Sequence, residues 1–306
     1  MSSHDKIEHT LEKWKTDWPA AKQAWNPYIK LREPLWCTSS ASSKKEGLSE
    51  SFAMIRLSDH RIVIDIEKVK TLNLADYSIE ILAHEIGHHI YTPANLHDNA
   101  ILLARIRWGL ADIEDRAPFV ANIYADLLIN DTLQRMKNLQ MASVYQQINN
   151  GESNSKVWAF VMRTYELLWK LERGSIIKNK DLYSPTIDAD AAVASALIRS
   201  YSKKWLDGAG RFSALLYPYL MEEKEYEKAR KSLVTLLDSE NAGEGGRVVS
   251  GLAEIDLEGI AEAVDPRSES TLNGGKKSSE INLGEKGSSV GEGPRQRYLK
   301  DRKSVV

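Results

Sequence analysis

The spacing of apolar residues along the chain changes between a period of two and the period of a helix. Residues 51–69, SFAMIRLSDHRIVIDIEKV, alternate and are rich in β-branched residues around the turn Ser58-Asp59-His60, which predicts two short antiparallel strands. Most of the remainder up to residue 240 has helical spacing. The pattern therefore predicts an α+β fold that is predominantly α, with a small antiparallel sheet and a helical bundle. The predicted helices cover residues 5–31, 73–91, 98–113, 118–137, 155–173, 187–206, 211–221 and 222–237.

The composition divides the chain into three parts. Residues 1–240 have enough apolar positions for a folded domain, in which the serine- and lysine-rich segment 38–51 is predicted to be a loop. Residues 241–265 are predicted to form a glycine-rich linker followed by a short acidic helix. Residues 266–306 are dominated by Gly, Ser, Lys and Glu, which predicts a disordered tail.

Charge and cysteine content exclude several classes of protein. The 41 basic and 43 acidic residues leave a net charge of −2, so nucleic acid is not indicated as a partner. Cys37 is the only cysteine, which excludes an intramolecular disulfide and a thiolate zinc cluster. No uncharged apolar run approaches the length of a membrane span, and the amino terminus lacks the apolar region of a signal peptide. We therefore expect a cytoplasmic protein with no membrane partner.

The segment IEILAHEIGHHIYTP, residues 79–93, contains three of the chain's seven histidines. On a helix, His84 and His88 lie four residues apart and project side by side, so both rings can bind one tetrahedral ion. Glu85 borders the same space and can accept a proton from a water molecule that zinc activates, which is the logic of the H-E-x-x-H motif. Gly87 allows another element or a substrate to approach closely, and His89 points away, toward a supporting or packing role. The predicted buried stripe of this helix is Ile79, Leu82, Ala83, Ile86 and Ile90.

A catalytic zinc ion needs a third protein ligand. The long metzincin motif is excluded, because Tyr91 and Ala94 stand where it requires Gly and His. One source of the ligand is ANIYADLLIND, residues 121–131, in which Asp126 could bind the ion and the asparagines could orient Asp126 or a histidine. Its three polar residues follow at intervals of four on an otherwise apolar helix, and they are Asn122, Asp126 and Asn130. The spacing leaves other candidates open, which are Asp112, Glu114, Asp115 and His97.

Three segments together resemble a known family. The run RIVIDIEKVK, followed by EILAHEIGHHIY and later by PFVANIYADLLIND, is similar to the zincin-type metallopeptidase-like domain found beside von Willebrand A (VWA) proteins and MoxR-type AAA+ ATPases in bacteria. The resemblance covers residues 52–137 and implies a zincin-like fold, a zinc ion with Asp126 as third ligand, and possible partners in that ATPase and a VWA-domain protein. The matching positions are His84, Glu85, His88, Asn122, Ile123, Asp126 and Asn130.

Some features depart from that family or point to another. The chain has no D-x-S-x-S metal site, so a VWA module would belong to a separate protein or lie beyond residue 306. The segment RQRYLKDR near the end is typical of a docking segment. Regulatory peptidases of the ImmA/IrrE type also carry helices like HEIGHH, but Phe119 and Val120 occupy the places where their downstream glutamate is expected.

The predicted activity is hydrolysis of peptide bonds in a peptide or protein substrate. Glu85 would take the proton of the attacking water and return it to the leaving amine, and Tyr91 or Tyr124 would donate a hydrogen bond to the oxyanion. Residues 60–65, HRIVID, are predicted to be the edge strand to which the substrate backbone adds. The alternative is a catalytically quiet adaptor or regulatory module that keeps its metal as a structural staple.

Overall fold

A computed structural model of the chain describes residues 3–48, 51–56, 59–148, 155–177 and 179–221. These residues form an α+β fold that is predominantly α, as the sequence predicts. The predicted helix at 222–237, the acidic helix, the linker and the tail lie outside the described residues. The helices are α1 (Ser3–Trp25), α2 (Ser40–Lys45), α3 (Ile66–Thr71), α4 (Ser78–Ile90), α5 (Leu96–Leu110), α6 (Ala117–Met136), α7 (Met141–Ile148), α8 (Lys156–Trp169), α9 (Pro185–Ser200) and α10 (Trp205–Leu220).

The sheet has three strands, β1 (Leu35–Cys37), β2 (Ala53–Arg56) and β3 (Arg61–Asp65), in the order β1-β3-β2. The antiparallel pair predicted from the alternating segment is β2 and β3. The prediction of a purely antiparallel sheet is wrong, because β1 pairs parallel to β3 after a connection that includes α2. A strand of three residues is too short to show alternation in the sequence.

The position of β3 corrects a second prediction. The segment HRIVID forms the central strand and pairs on both sides, so it has no open edge for a substrate backbone. The edges of the sheet are β1 and β2. At the start of β2, the backbone N–H of Ala53 donates to the hydroxyl of the preceding Ser51 at 3.2 Å, and this hydroxyl donates to the carbonyl of Ala53.

The serine-rich segment predicted to be a loop contains the short helix α2. Ser39 and Ser42 form a capping box at its start, in which each side chain bonds the backbone N–H of the other. The helix α3 was also absent from the prediction, and the side chain of Asp65 caps it by accepting from Lys68 N at 2.9 Å. Both helices are held by local caps rather than by a long amphipathic pattern.

The helix α4 lies in the core between α1, β2 and α6. All of its residues from Ile81 to His88 are buried, so the predicted stripe describes only part of the contact: Ile79 is half-buried and Ile90 is exposed. From α1, Trp14 and Trp18 are buried, and the indole N–H of Trp25 donates to the carbonyl of Ala83 at 2.6 Å. The core therefore holds the histidine helix on several sides.

Gly87 is a position where α4 packs closely against its neighbours. A Cβ atom there would lie 2.6 Å from Cγ2 of Ile129 on α6 and 2.9 Å from Cζ2 of Trp25 on α1. The close approach that the glycine was expected to allow is therefore made by two helices of the same chain. Among the described helices, none combines the length and the apolar character that a membrane crossing needs.

Candidate metal centre

The packing of α4 on α6 brings His84, His88 and Asp126 together. The Nε2 atoms of the two histidines lie 3.2 Å apart. Oδ1 of Asp126 lies 3.6 Å from Nε2 of His84 and 3.3 Å from Nε2 of His88. His84 and Asp126 are each 6% exposed and His88 is fully buried. One nitrogen or oxygen from each residue thus meets at a single buried point.

In each of the two histidine rings, the hydrogen bond of the outer nitrogen, Nδ1, determines whether the inner nitrogen, Nε2, carries a lone pair. Nδ1 of His88 lies 3.1 Å from the carbonyl oxygen of Thr92, and because a carbonyl only accepts, this nitrogen must carry the hydrogen. Nδ1 of His84 lies 2.7 Å from Oδ1 of Asn130, which also accepts. In the neutral rings, both Nε2 atoms then present lone pairs to each other and to the carboxylate.

The distances in this group fit a tetrahedral metal ion. Zinc binds histidine nitrogen and carboxylate oxygen at about 2.0–2.2 Å, so two ligands of a tetrahedron lie about 3.3–3.6 Å apart. The three separations of 3.2, 3.3 and 3.6 Å are close to those values. Three electron-pair donors of the same kind repel one another unless a cation or a proton lies between them, so the group could hold a metal ion.

The two asparagines of α6 flank Asp126 on its own helix. Asn122 donates from Nδ2 to Oδ2 of Asp126 at 3.2 Å, which leaves Oδ1 as the oxygen nearest the histidines. Asn130 is fully buried and contacts His84, as described above. The intervals of four residues in the sequence therefore place one amide next to the carboxylate and the other next to a histidine.

Glu85 follows His84 on α4 and is fully buried. By the helical repeat it stands about 100° around the helix from His84 and about 60° from His88. His89, which directly follows the motif, lies elsewhere: Nδ1 of His89 is 2.9 Å from Nδ1 of His60 in the turn that joins β2 and β3. Burial is the main cause of the lowered pKa of His89, and the nearby His60 contributes to it. The structure thus places His89 in a contact with the sheet rather than beside Asp126 or the asparagines.

The two tyrosines proposed as oxyanion donors are engaged by backbone carbonyls. Tyr91 donates to the carbonyl of Ser202 at 2.5 Å, and Tyr124 donates to that of Trp205 at 2.6 Å. Burial raises the pKa of Tyr91 to about 12 and also raises the pKa of Tyr124. Each hydroxyl has one hydrogen to give, so neither is available to an oxyanion in this arrangement.

The other acidic candidates for the third ligand make different contacts. Asp112 is exposed and accepts from the hydroxyl of Tyr217 at 2.8 Å, while Asp115 is exposed and lies 3.2 Å from Nε of Arg116. Glu114 lies in the 3₁₀ turn between α5 and α6, and His97 is exposed on α5. Within the described ranges, the group that meets the spacing of a metal site contains Asp126 and none of these residues.

A small cavity of about 20 Å³ lies beside His84 and Asn130, enough for about one water molecule. Its lining is mostly apolar, and three residues of α7 that the sequence did not single out, Met141, Val144 and Tyr145, contribute to it. Tyr145 and Tyr165 also bind Asn130 through their hydroxyls. A helix as short as α7 gives a weak signal in sequence, and a tyrosine on an apolar face indicates only that its hydroxyl needs a partner. The remaining lining residues are Phe52 and Ile81.

Comparisons of this chain with models of protein families, with curated proteins and with solved structures find no match.

Proposed function

We propose that this protein is a zinc-dependent metallopeptidase. The observation that supports the proposal most strongly is the triangle of His84 Nε2, His88 Nε2 and Asp126 Oδ1, with sides of 3.2–3.6 Å. Two imidazoles and one carboxylate are a donor set that zinc favours, and three protein ligands leave a position open for water or substrate. A closed structural site would be expected to use four protein ligands.

The assignment of zinc rests on ligand chemistry. Calcium and magnesium prefer sites built from oxygen atoms, whereas this site supplies two nitrogens and one oxygen. When bound, zinc acts as a Lewis acid that activates water for attack on a carbonyl group at neutral pH. The amides of Asn122 and Asn130 hold the carboxylate and one histidine in place for that ion.

Glu85 is the proposed general base. A purely structural site has no need of a buried carboxylate next to its ligands, and burying one is costly. Glu85 would accept a proton from water as the peptide carbonyl is attacked, and would then give that proton to the leaving amine. The departing amine would otherwise be a poor leaving group.

The substrate backbone is proposed to reach the site along β2. This strand is an edge of the sheet and packs against α4, and Phe52 at its start lines the cavity beside His84. An extended peptide adds to such an edge through backbone hydrogen bonds, which here requires the edge to open first, because Ala53 and Ile55 are fully buried and Ser51 occupies the backbone groups of Ala53. Association with a MoxR-type ATPase and a VWA protein, like the zincin-like fold itself, stays a prediction from the resemblance.

A catalytically quiet adaptor is the second candidate, because the ligands are so deeply buried. With exposures of 6%, 0% and 6% for His84, His88 and Asp126, a peptide could reach the ion only after the surroundings open. In an adaptor the ion would simply join α4 to α6. Glu85 distinguishes the two candidates, since only hydrolysis needs it.

The test combines metal analysis with two substitutions. We expect about one zinc per chain in protein purified with zinc present, and a loss of that zinc in His84→Ala. Glu85→Gln should retain zinc and lose peptide hydrolysis, because the amide keeps the shape of the carboxylate but cannot accept the proton. Wild-type protein with far less than one zinc per chain would refute the site. Hydrolysis at the wild-type rate by Glu85→Gln would refute the proposed base, and zinc without any hydrolysis in the wild type would favour the adaptor.

A further inference from the structure

Asn130 connects the candidate metal centre to a pair of buried tyrosines. Its Oδ1 lies 2.7 Å from Nδ1 of His84, and its Nδ2 lies 2.7 Å from the hydroxyl oxygen of Tyr145 and 2.8 Å from that of Tyr165. The two hydroxyl oxygens are 2.9 Å apart. Tyr145 comes from α7 and Tyr165 from α8, so three helices meet at the amide. The two phenols are 4% and 1% exposed.

Counting hydrogens shows which way the amide must face. In the orientation above, the amide nitrogen supplies two hydrogens and one phenol donates to the other, so all three contacts among the amide and the phenols contain a hydrogen. If the amide were turned over, three oxygens would meet, and the two phenols would have only two hydrogens for the three contacts. One pair of buried oxygens would then face each other without a hydrogen, which is unfavourable.

The orientation of the amide decides the tautomer of His84. With Oδ1 toward the ring, Nδ1 of His84 must carry the hydrogen, and Nε2 keeps the lone pair that faces Asp126 and His88. With the amide turned over, its N–H would face Nδ1, and the neutral ring would carry its hydrogen on Nε2, where it would block a cation. Burial, and after it the charge of Asp126, raises the pKa of Tyr165, so this phenol keeps its hydrogen.

We propose that Tyr145 and Tyr165 are positioning residues that hold Asn130 in one orientation and thereby hold His84 in the tautomer that can bind a metal ion. The inference rests on the proposed metal site and adds a second layer of control to it. Neither tyrosine needs to touch the ion. A single phenol would not suffice. One hydroxyl can accept from the N–H of Asn130 or donate to its oxygen, so both orientations of the amide would form a hydrogen bond and neither would be preferred.

The direct test is the tautomer of His84 in metal-free protein. Nitrogen-15 NMR of the imidazole rings, recorded well above the ordinary pKa of histidine, distinguishes a hydrogen on Nδ1 from one on Nε2. We expect His84 of the wild type to carry it on Nδ1, and Tyr165→Phe and Tyr145→Phe to populate both tautomers. The matched control is Tyr124→Phe, which also removes a buried hydroxyl from a tyrosine but one that donates to Trp205 and not to Asn130.

Zinc affinity provides the second readout, measured by competition with a chromophoric chelator. Each of the two network variants should bind zinc more weakly than Tyr124→Phe by the reciprocal of the fraction of His84 that keeps its hydrogen on Nδ1, which is about 2-fold when the two tautomers are equally populated. Thermal unfolding of all three variants identifies any that fail to fold, and the other network variant then carries the test. His84 on the Nδ1 tautomer in both network variants, with zinc affinity equal to that of the control, would overturn the inference.

The tautomer measurement separates this inference from the proposed function. It needs neither zinc nor hydrolysis. If the wild type binds zinc but cleaves no peptide, the proposed role of Tyr145 and Tyr165 can still be tested. A wild type that binds no zinc would refute the metal site, while the NMR comparison would still decide whether the phenols control His84.

Discussion

Replacing Gly87 with alanine tests the packing that holds the two ligand helices together. The added methyl carbon would lie 2.6 Å from Ile129 Cγ2 and 2.9 Å from Trp25 Cζ2, whereas carbon atoms pack at about 3.5–4.0 Å. The shortfall is about 1 Å toward α6 and about 0.6 Å toward α1. Trp25 is held by its hydrogen bond to Ala83, so the movement must come largely from α6.

Two opposing terms set the expected loss of stability. Overpacking a core costs about 1–3 kcal/mol, and two rigid neighbours place this case in the upper half of that range. Alanine gains about 1 kcal/mol over glycine in helix propensity. The free energy of unfolding should therefore fall by about 1–2 kcal/mol. Zinc affinity should fall as well, because Ile129 lies on α6 between Asp126 and Asn130.

Urea unfolding of metal-free protein, followed by circular dichroism, measures the change in stability. The control is a double-mutant cycle with Ile129→Ala, which removes the closer of the two obstructing side chains. Gly87→Ala should cost less in the Ile129→Ala background than in the wild type. A Gly87→Ala variant as stable as the wild type, with no coupling to position 129, would show that the helices are less tightly packed than these distances imply.

Other perturbations test the ligands, a tyrosine and a surface ion pair. Asp126→Ala should lower zinc affinity as much as His88→Ala, since each leaves two protein ligands; unchanged metal content by elemental analysis would exclude Asp126. Tyr91→Phe should lower the free energy of unfolding by about 1 kcal/mol through its lost hydrogen bond and leave zinc affinity and hydrolysis unchanged, whereas a slower rate would restore its catalytic role. A hydrogen bond from Arg173 is the main cause of the lowered pKa of Asp188, so its stabilising contribution should be complete above about pH 4 and be lost as the pH falls through the lowered pKa. Acid unfolding curves should therefore differ between wild type and Asp188→Asn, and parallel curves would contradict this assignment.

The sequence predicts those parts of the site that depend on position within one helix. Because the helical repeat is local, a spacing of four residues is enough to place His84 beside His88, and Asp126 between two asparagines. Which face of α6 meets α4 depends on tertiary packing, so spacing alone left other carboxylates open as the third ligand. The polar spacing of the helix and the resemblance to a family together favoured Asp126.

The features that the sequence did not predict arise from contacts between distant elements or from local caps. The pairing of His89 with His60 depends on how the turn between β2 and β3 packs against the end of α4. The roles of Tyr145 and Tyr165 depend on α7 and α8 meeting at one amide. The helix α2 begins at serines that also suit a loop, and propensity does not separate those two outcomes.

The hydroxyl of Ser51 has a consequence for how the protein behaves at high concentration. Along an antiparallel edge strand, alternate residues direct their backbone groups outward, and on β2 the groups of Ala53 already bind Ser51. Unpaired strand edges are where folded chains pair with one another and begin to aggregate, and on β2 the residues Ala53 and Ile55 are also fully buried. Because the Ser51 side chain already binds the outward backbone groups of Ala53, a second molecule could form fewer backbone hydrogen bonds to this short strand. Ser51 thereby protects the chain against edge-to-edge association.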